Sequence, residues 1–444
     1  MSTLIYWFRQ DLRLDDNLAL SAACNAAHAA GLPLIPVVCH DPQQDTITRW
    51  GVPRRGAHRR QFLAACLVDL RTQLQARGSD LIELVGDPTQ ALAALARQHA
   101  TSQLFCEQIA APEEQAALTA LSAALSRMGC KLISRWQSTL YDINTLPFSF
   151  AQMPDGFSQV RQALEKARCV PRKPVAAPLR LPPLPAKLDV ATASGTSPIN
   201  SSTAQVVLDQ RSSFPYQTAA FAGGETAGHA HIKQYFMRQL AHTYKATRNQ
   251  LHGIDFSSKF SPWLALGCLS APRIYAALQQ SEESHGANES TYWLWFELLW
   301  RDYFRFLHLK HGVKLYRAQG LITQPEAPIV SHDASVFQRW CQGETGNALV
   351  DAGMRELAAT AYLSNRMRQN VASFLVHDLA CDYRAGAAWF ESQLIDYDVY
   401  SNQGNWLYIA GRGTDPRGGR RFNIAKQAQE YDPDGHYQKQ WKTL

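Results

Sequence analysis

The sequence predicts two unlike halves: an N-terminal α/β domain on a doubly wound, Rossmann-like parallel sheet, and an all-helical C-terminal domain, joined by a long linker. Three observations predict this. Short apolar runs alternate with helical patterns over the first 135 residues, a rhythm that implies parallel strands with helices on both faces. Six prolines fall between Pro171 and Pro185, and a Ser-, Thr- and Ala-rich tract follows over Asp189–Thr203; such a stretch breaks ladders and buries no core. Beyond Pro215 the apolar spacing is almost wholly three and four. The boundaries read as 1–140 for the α/β domain, 141–215 for the linker and 216–444 for the helical domain.

Thr3–Phe8, Leu34–His40, Asp80–Val85, Gln103–Cys106 and Lys131–Arg135 are the expected strands. Between them Asn17–Ala30, Ala57–Arg77, Thr89–Gln98 and Pro112–Met128 repeat Ala and Leu at helical spacing. Ligands of such sheets lie outside the carboxyl ends of the strands, so Arg9–Asp16 and His40–Pro42 belong near any site. In the second half Thr226–Leu240, Ala271–Glu283, Thr291–His311, Ala334–Gln342, Ala348–Leu363, Arg366–Leu379 and Ala385–Leu394 are the expected helices. Pro262, Gly312 and Gly343–Gly346 punctuate them.

Composition narrows the function classes. Forty-six per cent of the 444 residues are hydrophobic and 18% are charged, the balance of an ordinary globular chain. The net charge of +6 is too small to establish a nucleic-acid partner. No apolar run approaches the roughly 20 residues of a membrane span, and the N-terminal apolar stretch is too short for a signal peptide. The expectation is a cytoplasmic protein without a membrane partner. The nine Cys contain no C-x-x-C pair, which suits isolated thiols, and no His/Cys spacing points to a metal. No G-x-G-x-x-G follows the first strand and no P-loop pattern occurs, so those phosphate cradles are unsupported. Arg49, Arg54, Arg55, Arg59 and Arg60 could meet phosphates, although such a run ordinarily forms a solvated loop and helix face.

The helical half carries the residues that look chemical. Ser257-Ser258-Lys259-Phe260-Ser261 precedes Pro262, and hydroxyls before a Pro-started helix can cradle a phosphate or simply cap the helix. In TYWLWFELLWRDYFR, Glu297, Trp300, Arg301 and Phe304 fall at helical spacing; Glu297 and Arg301 could form an intrahelical ion pair. Asn365–Asn370 opens another helix with polar and cationic residues. Asp396 and Asp398, followed by Asn402 and Trp406, could bind ribose, pair with arginines or cap a helix. Arg412, Arg417, Arg420, Arg421 and Lys426 stand against Asp415 alone in a glycine-rich loop, a reasonable nucleic-acid contact. Eight of the 11 Trp lie beyond residue 260, as a large core would also require.

Together these elements resemble one family over nearly the whole chain. YWFRQDLRLDDNLAL at Tyr6–Leu20 is similar to the opening of the photolyase/cryptochrome flavoproteins. SSKFSPWLALGCLS, ELLWRDYFRF and SNRMRQNVASFLVHDL resemble their flavin-binding helices. WFESQLIDYDVYSNQGNW and FNIAKQAQEYDPDGHYQKQW are most similar to the cryptochrome-DASH branch.

The resemblance implies an N-terminal antenna domain and a helical domain that binds FAD non-covalently. Carried over by motif, Tyr244, Ser257, Ser258, Lys259, Phe260 and Ser261 would hold the phosphates and neighbouring groups, and Arg301 would help secure the cofactor. Asn365, Arg368, Asp396 and Asp398 would surround the ring and ribose, with Arg368 and Asp396 ion-paired. Asn402 would face flavin N5, where a neutral amide tolerates electron density that a carboxylate would repel. The implied reaction is blue-light-driven splitting of cyclobutane pyrimidine dimers, preferentially in single-stranded DNA, by electron transfer from excited reduced FAD. Glu297 would hydrogen-bond a pyrimidine, Trp300 would pack on the flipped dimer, and Asn365, Gln369 and Tyr408 would line its pocket. Arg412, Arg417, Arg420 and Arg421 would meet the DNA backbone.

The chain departs from the pattern in places. Trp406 matches the flavin-proximal Trp of the electron chain, but Tyr383 takes the middle position and Val330 the outer one, leaving Tyr383 or Trp340 as alternative routes. The folate-contacting Glu aligns with Ile109, with Glu107 as a substitute after a register shift, so 5,10-methenyltetrahydrofolate is a candidate antenna only. Tyr362 and Ala348 replace commoner residues. The expected partner is dimer-bearing single-stranded DNA, with RNA as a further candidate, and the chain is expected to act as a monomer. The alternatives are a blue-light photoreceptor, whose usual long C-terminal extension is not seen after Trp441, and a flavin- or nucleotide-dependent enzyme without light chemistry.

Overall fold

A computed structural model describes residues 2–186, 188, 206–322, 332–415 and 417–443. The Asp189–Thr203 tract and Val330 lie outside these residues. Strands β1 (Thr3–Phe8), β2 (Leu34–His40), β3 (Ile82–Val85), β4 (Thr101–Glu107) and β5 (Lys131–Arg135) pair in parallel in the order β3-β2-β1-β4-β5. The order turns about β1, so the ligand crevice of this sheet opens above β1 and its neighbours. β1 is buried from end to end, which its uninterrupted apolar sequence allows. Between the strands run α1 (Leu18–Ala30), α2 (Ala57–Gln75), α3 (Pro88–Gln98) and α4 (Pro112–Ser126). Asn17 starts α1 by accepting the Leu20 amide at 2.9 Å, and Gly31 ends it in the left-handed region. Asp80 stands outside β3 because its carboxylate accepts from the Leu81 amide and from Arg71.

The stretch expected as linker contains a helix, α5 (Phe157–Lys166). Phe157, Val160 and Leu164 bury one face of it, a spacing overshadowed in the sequence by the downstream prolines. The helical half comprises α6 (Glu225–Met237), α7 (Ala271–His285), α8 (Glu289–His311), α9 (Ala334–Gln342), α10 (Ala348–Thr360), α11 (Asn365–Ser373), α12 (Tyr383–Gln393), α13 (Val399–Ile409) and α14 (Ile424–Tyr431), with shorter turns between them. Asn288 and Thr291 close a reciprocal capping box at the start of α8. The helix expected over Arg366–Leu379 is α11 followed by one wide π-turn, Phe374–Asp378.

The two halves dock through the loop after β1. The Leu12 amide donates to the Leu266 carbonyl at 3.1 Å, and buried Arg13 donates to the Gly267 carbonyl at 2.9 Å. Gly267 has φ +68°, and a Cβ there would lie 1.9 Å from the Gln10 carbonyl oxygen, so only glycine permits this approach. Asp16 pairs with Arg172 at 2.6 Å, and Asp15 with Arg273 at 2.6 Å. Glu225 accepts the amides of Leu14 and Asp15 at 2.7 and 2.8 Å. Among the described residues no helix is long and apolar enough to cross a membrane.

Candidate functional site

The strand ends open into a cavity of about 690 Å³ between the halves. Arg9 and His40 line it, as the sheet topology requires. So do Arg49, which stays exposed, and half-buried Arg54, Arg55 and Arg59, where a solvated loop and helix face was the ordinary expectation. Arg59 lies 4.6 Å over Tyr397, and Arg54 pairs with Glu113 at 2.7 Å. The lining holds six arginines against three glutamates. Burial lowers the Arg55 pKa; Asp45 opposes this, and Arg60 and Arg54 add to it. Ile109 also lines the cavity. Glu107 is not among the lining residues: it ends β4, where burial pushes its carboxyl up to about 8.

A second pocket lies within the helical half and meets the first at Tyr397 and Asn402, which line both. Ser364 caps α11, placing Asn365, Arg368 and Gln369 on one helical face. Facing them, α13 supplies Ser401, Asn402, Trp406 and Tyr408, and the turn before it supplies Asp396 and Asp398. Arg368 and Asp396 form the expected ion pair at 2.8 Å. The other Asp396 oxygen is buried and has no hydrogen-bond partner among the described residues. Asp398 does more than cap Ser401 at 2.7 Å: it pairs at 2.5 Å with Arg305, a residue the sequence reading missed. Burial would raise the Asp398 pKa, but Arg305 and Arg301 hold it down to about 2. The Asn402 amide nitrogen donates to the Ala387 carbonyl at 3.1 Å.

Tyr362 connects this pocket to the serine loop. The Lys259 ammonium and the Arg368 guanidinium lie 4.8 and 5.6 Å from its ring, and its hydroxyl shares a hydrogen bond with Ser257. Ser257 and Lys259 both adopt left-handed backbone, with φ 59° and 56°, conformations costly for non-glycine residues. Lys259 is only 4% exposed, and burial lowers its pKa to about 7 against the pull of Glu356. Glu356 is itself pushed by burial to about 8 and accepts the Tyr437 hydroxyl. Tyr244 is buried beside the charge of Glu297. Phe260 packs on Tyr235 at 5.1 Å in the core, the Ser258 carbonyl accepts from His231 at 2.9 Å, and Ser261 begins a five-residue helix.

Glu297 and Arg301 do not pair with each other. Glu297 pairs with Arg248, and Arg301 donates to the Ser138 carbonyl and, at 3.4 Å, to that of Leu264. Burial raises the Glu297 pKa, and Arg248 opposes the rise. Trp300 stacks on Phe157 at 3.8 Å and 7°, and meets Tyr408 edge-on at 6.4 Å. These rings border a groove of about 550 Å³ that reaches Arg417. Arg420 covers Tyr408 at 4.8 Å, and Asp415 accepts from both Arg417 and Arg420. Arg421 is exposed and pairs with Asp378 at 2.7 Å. The Arg412 backbone ties the loop down, its carbonyl accepting from the Leu321 amide at 2.9 Å.

Trp406 is packed against Phe390 at 5.1 Å and Trp340 at 6.4 Å. Gly386 makes room for it, since a Cβ there would lie 2.2 Å from the indole. The Tyr383 hydroxyl instead donates to the Arg317 carbonyl at 2.9 Å. Of the two alternatives to a middle Trp, Trp340 is the one in ring contact with Trp406.

Comparison with known proteins gives the arrangement its relatives. Residues 4–182 match the family described as DNA photolyase, and residues 293–443 match the FAD binding domain of DNA photolyase. Cryptochrome DASH of Gloeobacter violaceus is 42% identical over 99% of this chain and 85% of its own length. The crystal structure of the Synechocystis sp. PCC6803 cryptochrome superposes with a TM-score of 0.92 at 42% identity, covering 99% of this chain and 88% of that one. A bacterial class III photolyase from Agrobacterium tumefaciens superposes at 0.79 with 27% identity, covering 99% and 86%. The helical half binds FAD, and its residues fit the cofactor. The unpartnered Asp396 oxygen offers an acceptor to a ring N–H, and buried Lys259 lacks full compensation until an anion such as a pyrophosphate approaches.

Proposed function

The chain belongs to the photolyase/cryptochrome family, and on that premise we propose that it is a light-driven lyase that splits cyclobutane pyrimidine dimers, preferentially in single-stranded DNA. The observation that carries this reading is the helical-domain pocket itself. It is lined by the Arg368–Asp396 pair, Asn365, Gln369, Asn402, Trp406 and Tyr408, and Tyr408 is met by Trp300 edge-on and covered by Arg420. Bound FAD would supply light absorption and the donated electron.

The protein's own groups do the rest. Lys259 and the serine loop hold phosphates, and Arg368, Asp396 and Asp398 position the ring and ribose. Asn402, anchored on Ala387, presents a neutral amide where electron density rises. Glu297, whose pKa burial raises against the opposing pull of Arg248, hydrogen-bonds a pyrimidine of the dimer. Trp300, already stacked on Phe157, offers an aromatic wall to a flipped dimer, and flipping costs least in a single strand. Trp340, the indole in contact with Trp406, would be the next residue from which an electron could reach it when FAD is bound. The arginine-lined cavity between the domains suits an anionic antenna such as methenyltetrahydrofolate, its carboxylates meeting Arg49 and Arg55. The working form is a cytoplasmic monomer, and RNA bearing dimers is a further substrate candidate.

Illumination of the chemically reduced, FAD-loaded protein with dimer-bearing oligothymidylate tests the reading. Light-dependent dimer loss is expected, with none in darkness. Dimers left intact under light would select the signalling photoreceptor instead, and equal loss in the dark would select non-photochemical catalysis.

A further inference from the structure

Ring-and-cation pairs extend outward from the pocket. Tyr408, which lines it, lies under Arg420 at 4.8 Å. From Trp300, which meets Tyr408 edge-on, the rings continue through Phe157 to Phe296 at 4.9 Å and on to Trp293 at 4.6 Å. Half-buried Trp293 carries Arg248 at 4.4 Å and exposed Lys245 at 5.8 Å, and Lys245 also pairs with exposed Glu289. A second platform stands nearby: Arg366 covers half-buried Tyr431 at 4.8 Å and donates to the side chains of Asn249 at 3.0 Å and Gln369 at 3.1 Å. Its partners are neutral amides, and among the described residues no carboxylate lies within ion-pair distance of Arg366. Arg248 pairs with Glu297 on α8, and Arg366 reaches the pocket through Gln369, so the face is continuous with the site there.

Resting on the function proposed above, we infer that the Trp293–Tyr431 face binds the nucleotides flanking the dimer on one side of the single strand. Bases stack on Trp293 and Tyr431, and phosphates meet Lys245 and Arg366. Aromatic faces accept any base, while cations beside them hold the backbone, which is how sequence-tolerant single-strand sites are built. A duplex keeps its bases stacked on each other and offers none to these rings. The same face therefore supplies a source of preference for single strands that the lesion pocket alone does not. The Tyr408–Arg420 pair holds the opposite flank.

Dark binding by the full-length, FAD-loaded protein tests this. The probes are oligothymidylates with one dimer, each lengthened by up to three nucleotides on the 5′ side only or the 3′ side only, with 2-aminopurine next to the dimer. Lengthening on each side should raise affinity and quench the 2-aminopurine. Trp293→Ala and Tyr431→Leu should each reduce the gain on one and the same side by roughly 5- to 100-fold and relieve its quenching, leaving the other side unaltered. Lys245→Gln should weaken that side with a shallower salt dependence, and serves if an aromatic variant does not fold. Unchanged affinity and quenching on both flanks in these variants overturns the inference. Photorepair of the shortest wild-type substrate separates the two readings: repair with unaltered flank binding sinks the flank site alone, whereas neither repair nor binding sinks the proposed function and the flank site with it.

Discussion

Lys259 is a buried cation held near its neutral point, and its pH response follows from its surroundings. Burial lowers its pKa to about 7, and the neighbouring Glu356 is raised to about 8. As pH rises from 6 to 9, the pair passes from net +1 towards net −1 as both groups lose a proton. An anionic cofactor favours the protonated pair, so apo-protein should bind FAD most tightly below pH 7 and progressively more weakly above it, with proton uptake. Lys259→Met should bind more weakly throughout and respond less to pH; flavin fluorescence titrations check both, and a flat wild-type profile would remove Lys259 from the phosphate site. Glu297 gives a second residue-level test. Glu297→Ala should lose roughly ten- to hundred-fold in repair rate with flavin content unchanged, while Glu297→Gln, still a donor, should retain more. Normal repair by the alanine variant would exclude Glu297 from the mechanism.

Helix α13 depends on one carboxylate for two tasks. Asp398 caps its first turn and neutralises Arg305, which is 2% exposed. Asp398→Asn keeps much of the cap but leaves Arg305 buried without its countercharge, so a loss of about 3–5 kcal/mol is expected in thermal unfolding. Asp398→Ala should lose about 1 kcal/mol more through the cap. Because the folded pKa is lowered to about 2, this stability is present above pH 4 and disappears as pH falls from about 4 towards 2. That dual role shows where the sequence could be read and where it could not. The Asp-x-Asp pair announced caps and arginine partners, and Arg368–Asp396 was legible because the motif carried both ends. Arg305 was not, since nothing local ties residue 305 to residue 398. The β strands were legible through apolar runs that only a sheet covered on both faces tolerates. Helix α13 itself was missed because Asn402, Gln403, Gly404 and Asn405 interrupt its apolar rhythm: Asn402 and Asn405 line the pocket, Gln403 donates to the Leu315 carbonyl, and Gly404 makes room for Phe304. The place of Arg54, Arg55 and Arg59 on a cavity wall was likewise hidden, because the second half supplies the rest of that wall.

Docking is what makes one molecule of the two halves, and it shapes the cavity between them. The loop Arg9–Asp16 is tied to Leu266 and Gly267, and the residues beside both, Gln10, Leu12, Ala265 and Leu266, line that cavity. The antenna binding proposed for this cavity is therefore open to two distinct failures. Arg55→Glu changes the cavity's charge without touching the docking contacts, so folate retention and its energy transfer should fall while FAD content and thermal stability stay near wild type. Gly267→Ala acts on the docking itself. Its Cβ would lie 1.9 Å from the Gln10 carbonyl, and alanine disfavours φ +68°, so the interface must part by more than a side-chain adjustment. The expected cost is about 1–3 kcal/mol or more, with faster proteolysis between the halves and loss of folate. FAD, held by α11, α13 and the serine loop within one half, should be retained by the surviving folded protein. Absorption spectra of the two purified variants distinguish the cases, and folate retained in Gly267→Ala would show that the cavity does not depend on this contact.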